Sequence, residues 1–250
     1  MLRSAGAARL GRLSYSVATA SATMARMETV LAVETSGPLC SLALLAGGRW
    51  FEDTHNVERL HNQVVLGMLD GLVSAAGVDR RALDLVAFGA GPGSFTGVRL
   101  AASVAQGVAY GAGAVVCPVS SSRAMALAWQ RQHDPGAAGA VVTVTRSRRD
   151  AYYLAAWQVA ADTLPERLLA DRLHQGDMAP DGLPADLPGV GDRPPWWPPD
   201  RAFADDVTVP ARIVGELGLA AWRAGEAVPP AEAFPVYVQG DSPWRPAAGS

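Results

Sequence analysis

The sequence contains no lysine, because all 21 of its basic residues are arginines. A chain without lysine cannot form a Schiff base through an amine side chain, and it cannot build a phosphate loop of the Walker type. Codon usage in a GC-rich genome is the simplest explanation, since alanine, glycine, proline and arginine are all abundant.

Cysteines, charged residues and long apolar runs are also scarce. Cys40 and Cys117 are far apart and lack the spacing of zinc ligands, so we expect a reducing, cytoplasmic compartment and no disulfide framework. No apolar run approaches the roughly 20 residues that a membrane-spanning helix needs, so no membrane association is predicted. With 49% hydrophobic and 18% charged residues, the composition is that of a globular protein.

The first 27 residues differ from the rest in charge. They contain four arginines and no acid, whereas residues 28–250 contain 17 arginines against 24 acids, a net charge of −7. A leader rich in Arg, Ser and Ala is typical of an organellar transit peptide. Alternatively, the start codon is assigned too far upstream and the chain begins at Met24 or Met27, which is the explanation we favour. The acidic remainder is not expected to bind nucleic acid by itself.

The pattern of apolar residues predicts a half-domain over residues 28–131, in the order β-β-β-α-β-α-β-α. This order matches the ribonuclease-H-like half-domain of the actin and sugar-kinase superfamily, an α/β fold with a mixed sheet and helices on both faces. The predicted strands are Thr29–Thr35, Cys40–Ala46, Arg49–Thr54, Leu83–Phe88 and Ala114–Cys117, and the predicted helices are Glu58–Ala76, 98–110 and Ser120–Arg131.

The remainder of the chain is less regular. Residues 132–139 are predicted to be a linker, and residues 140–250 a smaller C-terminal half-domain that we interpret as a degenerate second copy of the first. Between about 162 and 206 the chain is rich in proline and shows little periodicity. The predicted elements are strands near Ala140–Thr145, Ala151–Ala160 and Phe234–Val238 and a helix at Pro210–Ala224.

The most specific stretch is the glycine-rich loop G-A-G-P-G-S-F-T-G-V-R at residues 89–99, between a predicted strand and a predicted helix. Its glycines let the backbone turn sharply and approach another group closely. Ser94 or Thr96 can cap the following helix, whose free N–H groups favour an anion. The residues alone leave two interpretations open, a phosphate-binding loop and a tight strand-to-helix turn.

The whole string, extended to Leu100, closely resembles the signature of the TsaB family, also called YeaZ. Leu31–Ser36 resembles the opening strand of the family, with Glu34 where Asp is usual, and Val119–Ser121 resembles its V-S-T/S turn. The resemblance spans roughly 28–245 and is weak between 160 and 230. The loop residues that carry it are Gly89, Gly91, Pro92, Gly93, Ser94, Phe95, Thr96, Gly97 and Arg99. Further agreement comes from His61–Gln63, Ala105–Gly107, and Pro235–Val238 followed by Trp244.

This resemblance implies a non-catalytic subunit with no catalytic residue of its own. TsaB proteins are partners and paralogues of TsaD, which makes threonylcarbamoyladenosine beside the anticodon of tRNA. The expected partners are therefore a TsaD-like protein and a TsaE-like ATPase, with a homodimer as the form in isolation and tRNA contacted only through the complex. No cofactor is expected to be required by this chain, and ATP or ADP is expected, if anywhere, at the partner interface.

The resemblance breaks down just before the strand at Tyr152. The family usually has Asp-Ala-Arg-x-Gly-Glu there, whereas residues 145–150 of this chain are T-R-S-R-R-D. Thr145 therefore replaces the Asp and Arg149 replaces the Gly, and Gln239 stands where an Arg is common. A function carried by that segment of the family is not expected to be retained here.

The titratable residues do not compose a distinctive catalytic or metal site. His55 and His61 would lie about 240° apart around a helix of 3.6 residues per turn, so they would not converge on one ion. The alternative function is a stand-alone ATP-dependent transferase or kinase of the superfamily, which needs acids for Mg²⁺ and turns for phosphate. The candidate groups are Glu34, Asp150, the turn Gly189–Asp192 and the cluster Arg146, Arg148 and Arg149, for which a solvated loop is the competing interpretation.

Two predicted helices carry more apolar surface than one sheet contact needs. The helix at 58–76 has two apolar stripes, and the helix at 98–110 has a face of small residues beside a second apolar face. Either a partner or the rest of the chain covers the surplus, and the residue pattern does not decide between them. The resemblance favours a partner. The predicted interface consists of Leu60, His61, Val64, Met68, Val98, Ala101, Ala102, Ala105 and Ala109.

Overall fold

A computed structural model of the chain contains two five-stranded mixed sheets and, among the residues it describes, four α-helices. The α/β class predicted from the sequence is confirmed. Residues 1–26 of the predicted leader, together with Arg149, Gln239 and Trp244, lie outside the described residues. The structure describes residues 27–57, 60–133, 136, 138–148, 150–184 and 186–238.

The first half has the predicted order of elements. Its strands are β1 (Val30–Glu34), β2 (Leu39–Ala46), β3 (Arg49–Asn56), β4 (Leu85–Gly91) and β5 (Val115–Ser120), and its helices are α1 (His61–Ala76), α2 (Phe95–Ala112) and α3 (Ser121–His133). The sheet order is β3-β2-β1-β4-β5. The first three strands form an antiparallel meander, and β4 and β5 continue from β1 in parallel.

The central strand β1 is buried on both faces, which explains its uninterrupted apolar sequence. Leu31 and Val33 lie in one core with residues of α1 and α2. Ala32 lies in a second core with residues of α3 and of a late helix, α4 (Ala211–Arg223). A Cβ on Gly215 of α4 would lie 3.1 Å from the Cβ of Ala32, so small residues set the close spacing of this helix and the sheet.

The small-residue face of α2 is covered by the chain itself, so this part of the predicted partner interface is wrong. Ala101, Ala105 and Ala109 are fully buried in the core that α1 and α2 form with the sheet. The physical reason is that small residues allow α2 to approach β4 and β1 closely. The predicted interface residues that are buried are Met68, Val98, Ala101, Ala102, Ala105 and Ala109, whereas Leu60 is exposed and His61 and Val64 are partly buried.

The second half forms its own sheet. Its strands are β6 (Gly139–Arg148), β7 (Ala151–Val159), β8 (Glu166–Gln175), β9 (Gly189–Gly191) and β10 (Phe203–Ala204), in the order β10-β9-β6-β7-β8. Three of them, β8, β9 and β10, lie in the segment 162–206, where no regular element was predicted. Strand β8 escaped notice because it is a largely exposed edge strand with charged residues along it, such as Glu166 and Arg172.

The proline-rich segment is ordered by contacts of single side chains. The guanidinium of Arg201 lies 4.1 Å from the centre of the Trp197 ring and donates hydrogen bonds to the carbonyls of Leu187 and Pro184. Trp197 packs in turn on Phe203, with the ring centres 5.0 Å apart. Arg201, Trp197 and Phe203, which we call the Arg201 clamp, therefore hold the proline-rich segment in place of regular secondary structure.

After α4 the chain returns to the first half. Val228 forms an isolated bridge with Val116 of β5. The strand predicted at Phe234–Val238 is not formed, and the backbone N–H of Val236 instead donates a hydrogen bond of 2.8 Å to the carbonyl of Ala90. This returning segment places residues 235–238 against the glycine loop.

Candidate functional site

The glycine loop is fastened to the end of β1 by reciprocal hydrogen bonds. The hydroxyl of Thr35 donates to the carbonyl of Gly97 over 2.7 Å, and the N–H of Ser94 donates to the carbonyl of Ser36 over 2.8 Å. Ser94 is the N-cap of α2, and its hydroxyl accepts from the N–H of Gly97 at 3.4 Å. The loop and the start of α2 therefore have one fixed position relative to β1.

The glycines of the loop are required by close packing. A Cβ on Gly97 would lie 1.9 Å from the carbonyl oxygen of Thr35, and a Cβ on Gly93 would lie 2.7 Å from the Cβ of Ser36. A Cβ on Gly89 would lie 2.0 Å from Oε2 of Glu34. These contacts favour the interpretation of the signature as a tight strand-to-helix turn rather than as a phosphate loop.

Glu34 is a buried carboxyl group beside this loop. Its Oε1 accepts a hydrogen bond of 2.6 Å from the N–H of Ser36, and its Oε2 has no partner among the described residues. Burial raises the pKa of Glu34, against the hydrogen bonds from Ser36, which lower it. The side chain is thus held as a largely desolvated group between β1 and β4.

A cleft of about 710 Å³ separates the two halves and is partly lined by the glycine loop. Of the two acids proposed for Mg²⁺ chemistry, Glu34 lines the cleft, whereas Asp150 is not among its lining residues. Gly191 and Asp192, from the turn proposed for phosphate, also line it. Arg146 and Arg148 line the opposite wall. The N–H of Arg146 donates to Asp192 over 2.8 Å, and the guanidinium of Arg148 lies 3.3 Å from the side-chain oxygen of Gln175.

His55 and His61, which were predicted not to bind one metal ion together, lie on different elements. His55 lies on β3, not on a helix, and its Nε2 is 2.8 Å from a carboxylate oxygen of Asp53. His61 is the first residue of α1. Within the described ranges, no three His, Cys, Asp or Glu side chains come together in a way that could hold a metal ion.

A different face of α1 and α2, which was not predicted from the sequence, is open to solvent. Gly67 and Gly71 on α1, and Gly107 and Gly111 on α2, are exposed, and a Cβ at any of the four would meet nothing within 4 Å. Large apolar side chains accompany them, since Leu66 on α1 is 59% exposed and Tyr110 on α2 is 84% exposed. We call these six residues, together with Leu60, the glycine face. The i, i+4 spacing of the glycines was the available signal.

The returning C-terminal segment contacts α2 beside the glycine loop. The Nε of Arg99 donates to the hydroxyl of Tyr237 over 3.2 Å, and its guanidinium lies 3.6 Å from the centre of the Phe95 ring. The amide of Gln106 donates to the carbonyl of Ala233 over 3.0 Å. Two motifs more than a hundred residues apart in the sequence are therefore in direct contact.

In the described part of the chain, no helix is both long enough and apolar enough to cross a bilayer.

The fold is similar to two solved structures from Pseudomonas aeruginosa. One is an uncharacterized protein with similarity to peptidase YeaZ, with a TM-score of 0.75 and 32% identity. The other is YeaZ, with a TM-score of 0.72 and 30% identity. Each comparison covers 85% of this chain and 100% of the other.

Sequence comparisons point the same way. Residues 55–173 match the family model of TsaD, tRNA N6-adenosine threonylcarbamoyltransferase. The tRNA threonylcarbamoyladenosine biosynthesis protein TsaB of Haemophilus influenzae is 38% identical over 125 residues, 50% of this chain and 52% of that protein. The protein of the same name from Escherichia coli is 36% identical over 108 residues, 41% of this chain and 45% of that protein. The chain thus aligns with about half the length of these curated relatives.

Two mixed sheets with flanking helices, and a glycine loop between β4 and α2 that is hydrogen-bonded to the residues after β1, define an α/β protein of the actin and sugar-kinase-like class. The chain belongs to the TsaB (YeaZ) family.

Proposed function

We propose that this chain is a non-catalytic subunit that binds a TsaD-like protein and supports the formation of threonylcarbamoyladenosine next to the anticodon of tRNA. The names of the relatives from Haemophilus influenzae and Escherichia coli support the pathway. The match of residues 55–173 to the TsaD family model supports a paralogous partner, because paralogous half-domains offer each other related surfaces.

The glycine face is the observation that carries the proposal. A glycine in the interior of a helix destabilises it by about 1 kcal/mol relative to alanine. At Gly67, Gly71, Gly107 and Gly111 no described neighbour lies close enough to require the absence of a Cβ. Four such glycines in two adjacent helices are explained if another helical surface packs closely against them.

The chemistry around the glycines favours an apolar helical partner. Leu60, Leu66 and Tyr110 are all at least half exposed. The charged residue Asp70 on α1 is paired with Arg80. Large apolar side chains beside small residues form the kind of contact that packs at a protein interface. A TsaD-like protein would present its own equivalents of α1 and α2, and a second copy of this chain competes for the same face.

The experiment is size-exclusion chromatography with light scattering, with and without a TsaD-like partner. The unmodified chain should form a heterodimer at micromolar concentration. Gly107→Leu should weaken it at least tenfold without lowering the melting temperature of the isolated chain, because the new side chain projects into solvent until the partner binds.

The control is Ala170→Leu, which adds a similar apolar side chain at an exposed position of β8 and should leave the affinity unchanged. The absence of any complex would remove the partner from the proposal. Unchanged affinity in both Gly107→Leu and Gly71→Leu would instead move the interface away from the glycine face.

The chemistry of the reaction is assigned to the partner. Because residues 28–250 carry a net charge of −7, we propose that tRNA is contacted through the complex and not by this chain alone. A TsaE-like ATPase is the further partner, and ATP or ADP is placed at the partner interface. Binding of tRNA by the isolated chain at physiological salt would contradict this assignment.

The second candidate is a stand-alone ATP-dependent transferase or kinase, which the size of the cleft beside Glu34 favours. It predicts saturable binding of ATP and Mg²⁺ by the isolated chain. Isothermal titration calorimetry separates the two functions, since the subunit proposed here should release no heat with ATP until its partner is added.

A further inference from the structure

A small pocket lies where the returning C-terminal segment meets the start of α2, beside the glycine loop. Four of the residues that line it have exposed side chains, and we call them the Arg99 patch: Phe95, Arg99, Val236 and Tyr237. The pocket has a volume of about 20 Å³, which is room for little more than one water molecule. It does not enclose a small ligand, so the patch is suited to the surface of another macromolecule.

The side chain of Arg99 has a fixed orientation in this patch. Its guanidinium lies 3.6 Å from the centre of the Phe95 ring and 5.9 Å from the centre of the Tyr237 ring. Its Nε donates to the hydroxyl of Tyr237 over 3.2 Å. A planar guanidinium that is already oriented in this way loses little freedom when a further group binds to it.

The charge of Arg99 has no counter-charge in the described part of the chain. Among the described residues that line the pocket, Arg99 is the only charged one. Within the same ranges its two terminal nitrogens have neither a hydrogen bond nor an ion pair. Because the side chain is exposed, solvent can satisfy these N–H groups in the free chain.

The position of Arg99 on α2 places it within reach of a partner on the glycine face. Arg99 and Tyr110 are three helical turns apart, so they lie on the same side of α2, and the exposed Ser103 lies between them. An interface of ordinary size covers about 800 Å² on each protein and so extends about 16 Å from its centre. A partner centred on Gly107 would cover Arg99, which is about 12 Å away along the helix.

A partner that covers Arg99 must supply a negative charge. Burying the guanidinium without one is costly, whereas a carboxylate can accept from both terminal nitrogens at once. RNA phosphate is disfavoured, because residues 28–250 carry a net charge of −7. A second copy of this chain offers no acid from α2, and the one acid of α1, Asp70, is already paired with Arg80.

We propose that the partner on the glycine face places an Asp or Glu carboxylate on the terminal nitrogens of Arg99 and apolar side chains on Val236 and Tyr237. The inference rests on the proposed function, and it adds the chemistry of the partner: an acidic residue at the edge of an apolar helical surface. Arg99 then selects such a partner over a second copy of this chain.

The test compares the affinity of a TsaD-like protein for the full chain and for Arg99→Met, by isothermal titration calorimetry at about 50 and about 300 mM NaCl. Arg99→Met should weaken the complex at least tenfold at the lower salt concentration and remove most of the salt dependence. Arg99→Lys, which keeps the charge but not the fork of donors, should have an intermediate affinity. The melting temperature of the isolated chain should not change, because the side chain is exposed.

The matched control is Arg193→Met in the second half. Arg193 also lies over a phenylalanine ring, 5.0 Å from the centre of Phe203, and its loss should leave the affinity unchanged.

Unchanged affinity in Arg99→Met, or an equal loss at both salt concentrations, would overturn the inference and leave the proposed function standing. If Arg99→Met left the partner bound as before but abolished self-association or tRNA binding by the isolated chain, the occupant would be a second copy or RNA, and the inference would be wrong. The absence of any complex with the unmodified chain would remove the proposed function and this inference with it.

Discussion

The two sheets of this protein are covered in different ways. The first has helices on both faces, with α1 and α2 on one side and α3 and α4 on the other. The second has α3 on one face, and on the other a layer of tryptophans, leucines and Phe203 supplied by the proline-rich segment. A helical layer distributes its stability over many apolar contacts, whereas the aromatic layer depends on a few side chains such as Trp197 and Arg201.

This difference predicts that single substitutions should act differently in the two halves. In the first half the sensitive positions are close backbone approaches at the glycine loop. In the second half the sensitive positions are the side chains, such as Trp197 and Arg201, that hold the proline-rich segment in place.

The largest effect is expected from paired substitutions in one helix, α2. Gly97→Ala would place a Cβ 1.9 Å from the carbonyl oxygen of Thr35, so it should lower the free energy of unfolding by about 3 kcal/mol or more. Gly107→Ala meets nothing within 4 Å and should raise it by about 1 kcal/mol. Urea unfolding followed by circular dichroism measures both. If the two substitutions change the free energy of unfolding equally, the helix propensity of residue 97, and not its contact with Thr35, determines the effect of Gly97→Ala.

An intermediate effect is expected from Arg201→Met. The change removes charged donors from the carbonyls of Leu187 and Pro184 and should lower the free energy of unfolding by about 2 kcal/mol. Arg193→Met is the comparison, because its ion pair with Asp205 and its hydrogen bond to the carbonyl of Phe203 are both exposed, so this change should lower the free energy of unfolding by only about 1 kcal/mol. Limited proteolysis should cut Arg201→Met within residues 176–206 faster than the unmodified chain.

The reactivity of the two cysteines, which both lie in the first half, shows whether the unfolding caused by Arg201→Met is confined to the second half. Burial, with a smaller contribution from Asp53, raises the pKa of Cys40 to about 11, and burial with Glu226 raises that of Cys117 to about 11. Both thiols should therefore resist maleimide in the folded first half, in Arg201→Met as well. Rapid labelling in that variant would mean that the two halves unfold together.

The smallest effect is expected at the junction of the halves, where Ser122 of α3 donates to Asp171 of β8 over 3.0 Å. Burial raises the pKa of Asp171 to about 6, against the hydrogen bond from Ser122. The native state therefore holds this proton more tightly than the unfolded chain, whose Asp has a pKa of about 3.9. The contribution of Asp171 to stability is complete below about pH 4 and is lost as the pH rises through about 6.

Asp171→Asn should accordingly raise the free energy of unfolding by about 1 kcal/mol at neutral pH and by nearly nothing near pH 4, since the amide oxygen still accepts from Ser122. Thermal unfolding at the two pH values measures this. A gain of the same size at both would contradict the assignment to ionisation.

The elements of the first half were predicted well, because its helices and strands have periodic apolar residues and glycines lie at their ends. The meander from β1 to β3 and the turn at Gly77 follow directly from such patterns. Strand β8 and the Arg201 clamp were not foreseen, because an edge strand is polar and a single stacked arginine leaves no periodic trace. The buried face of α2 was misassigned for a related reason: a pattern shows that a face is apolar but not which neighbour covers it.

The four exposed helical glycines have a consequence for the behaviour of the chain in the cell. They leave the isolated chain less stable than an alanine-bearing sequence of the same fold would be. A partner that packs on them adds stability in proportion to the logarithm of its free concentration, about 2.7 kcal/mol at a hundred times the dissociation constant. The melting temperature of this chain would then serve as a gauge of partner supply, and copies made in excess would be the first to be degraded.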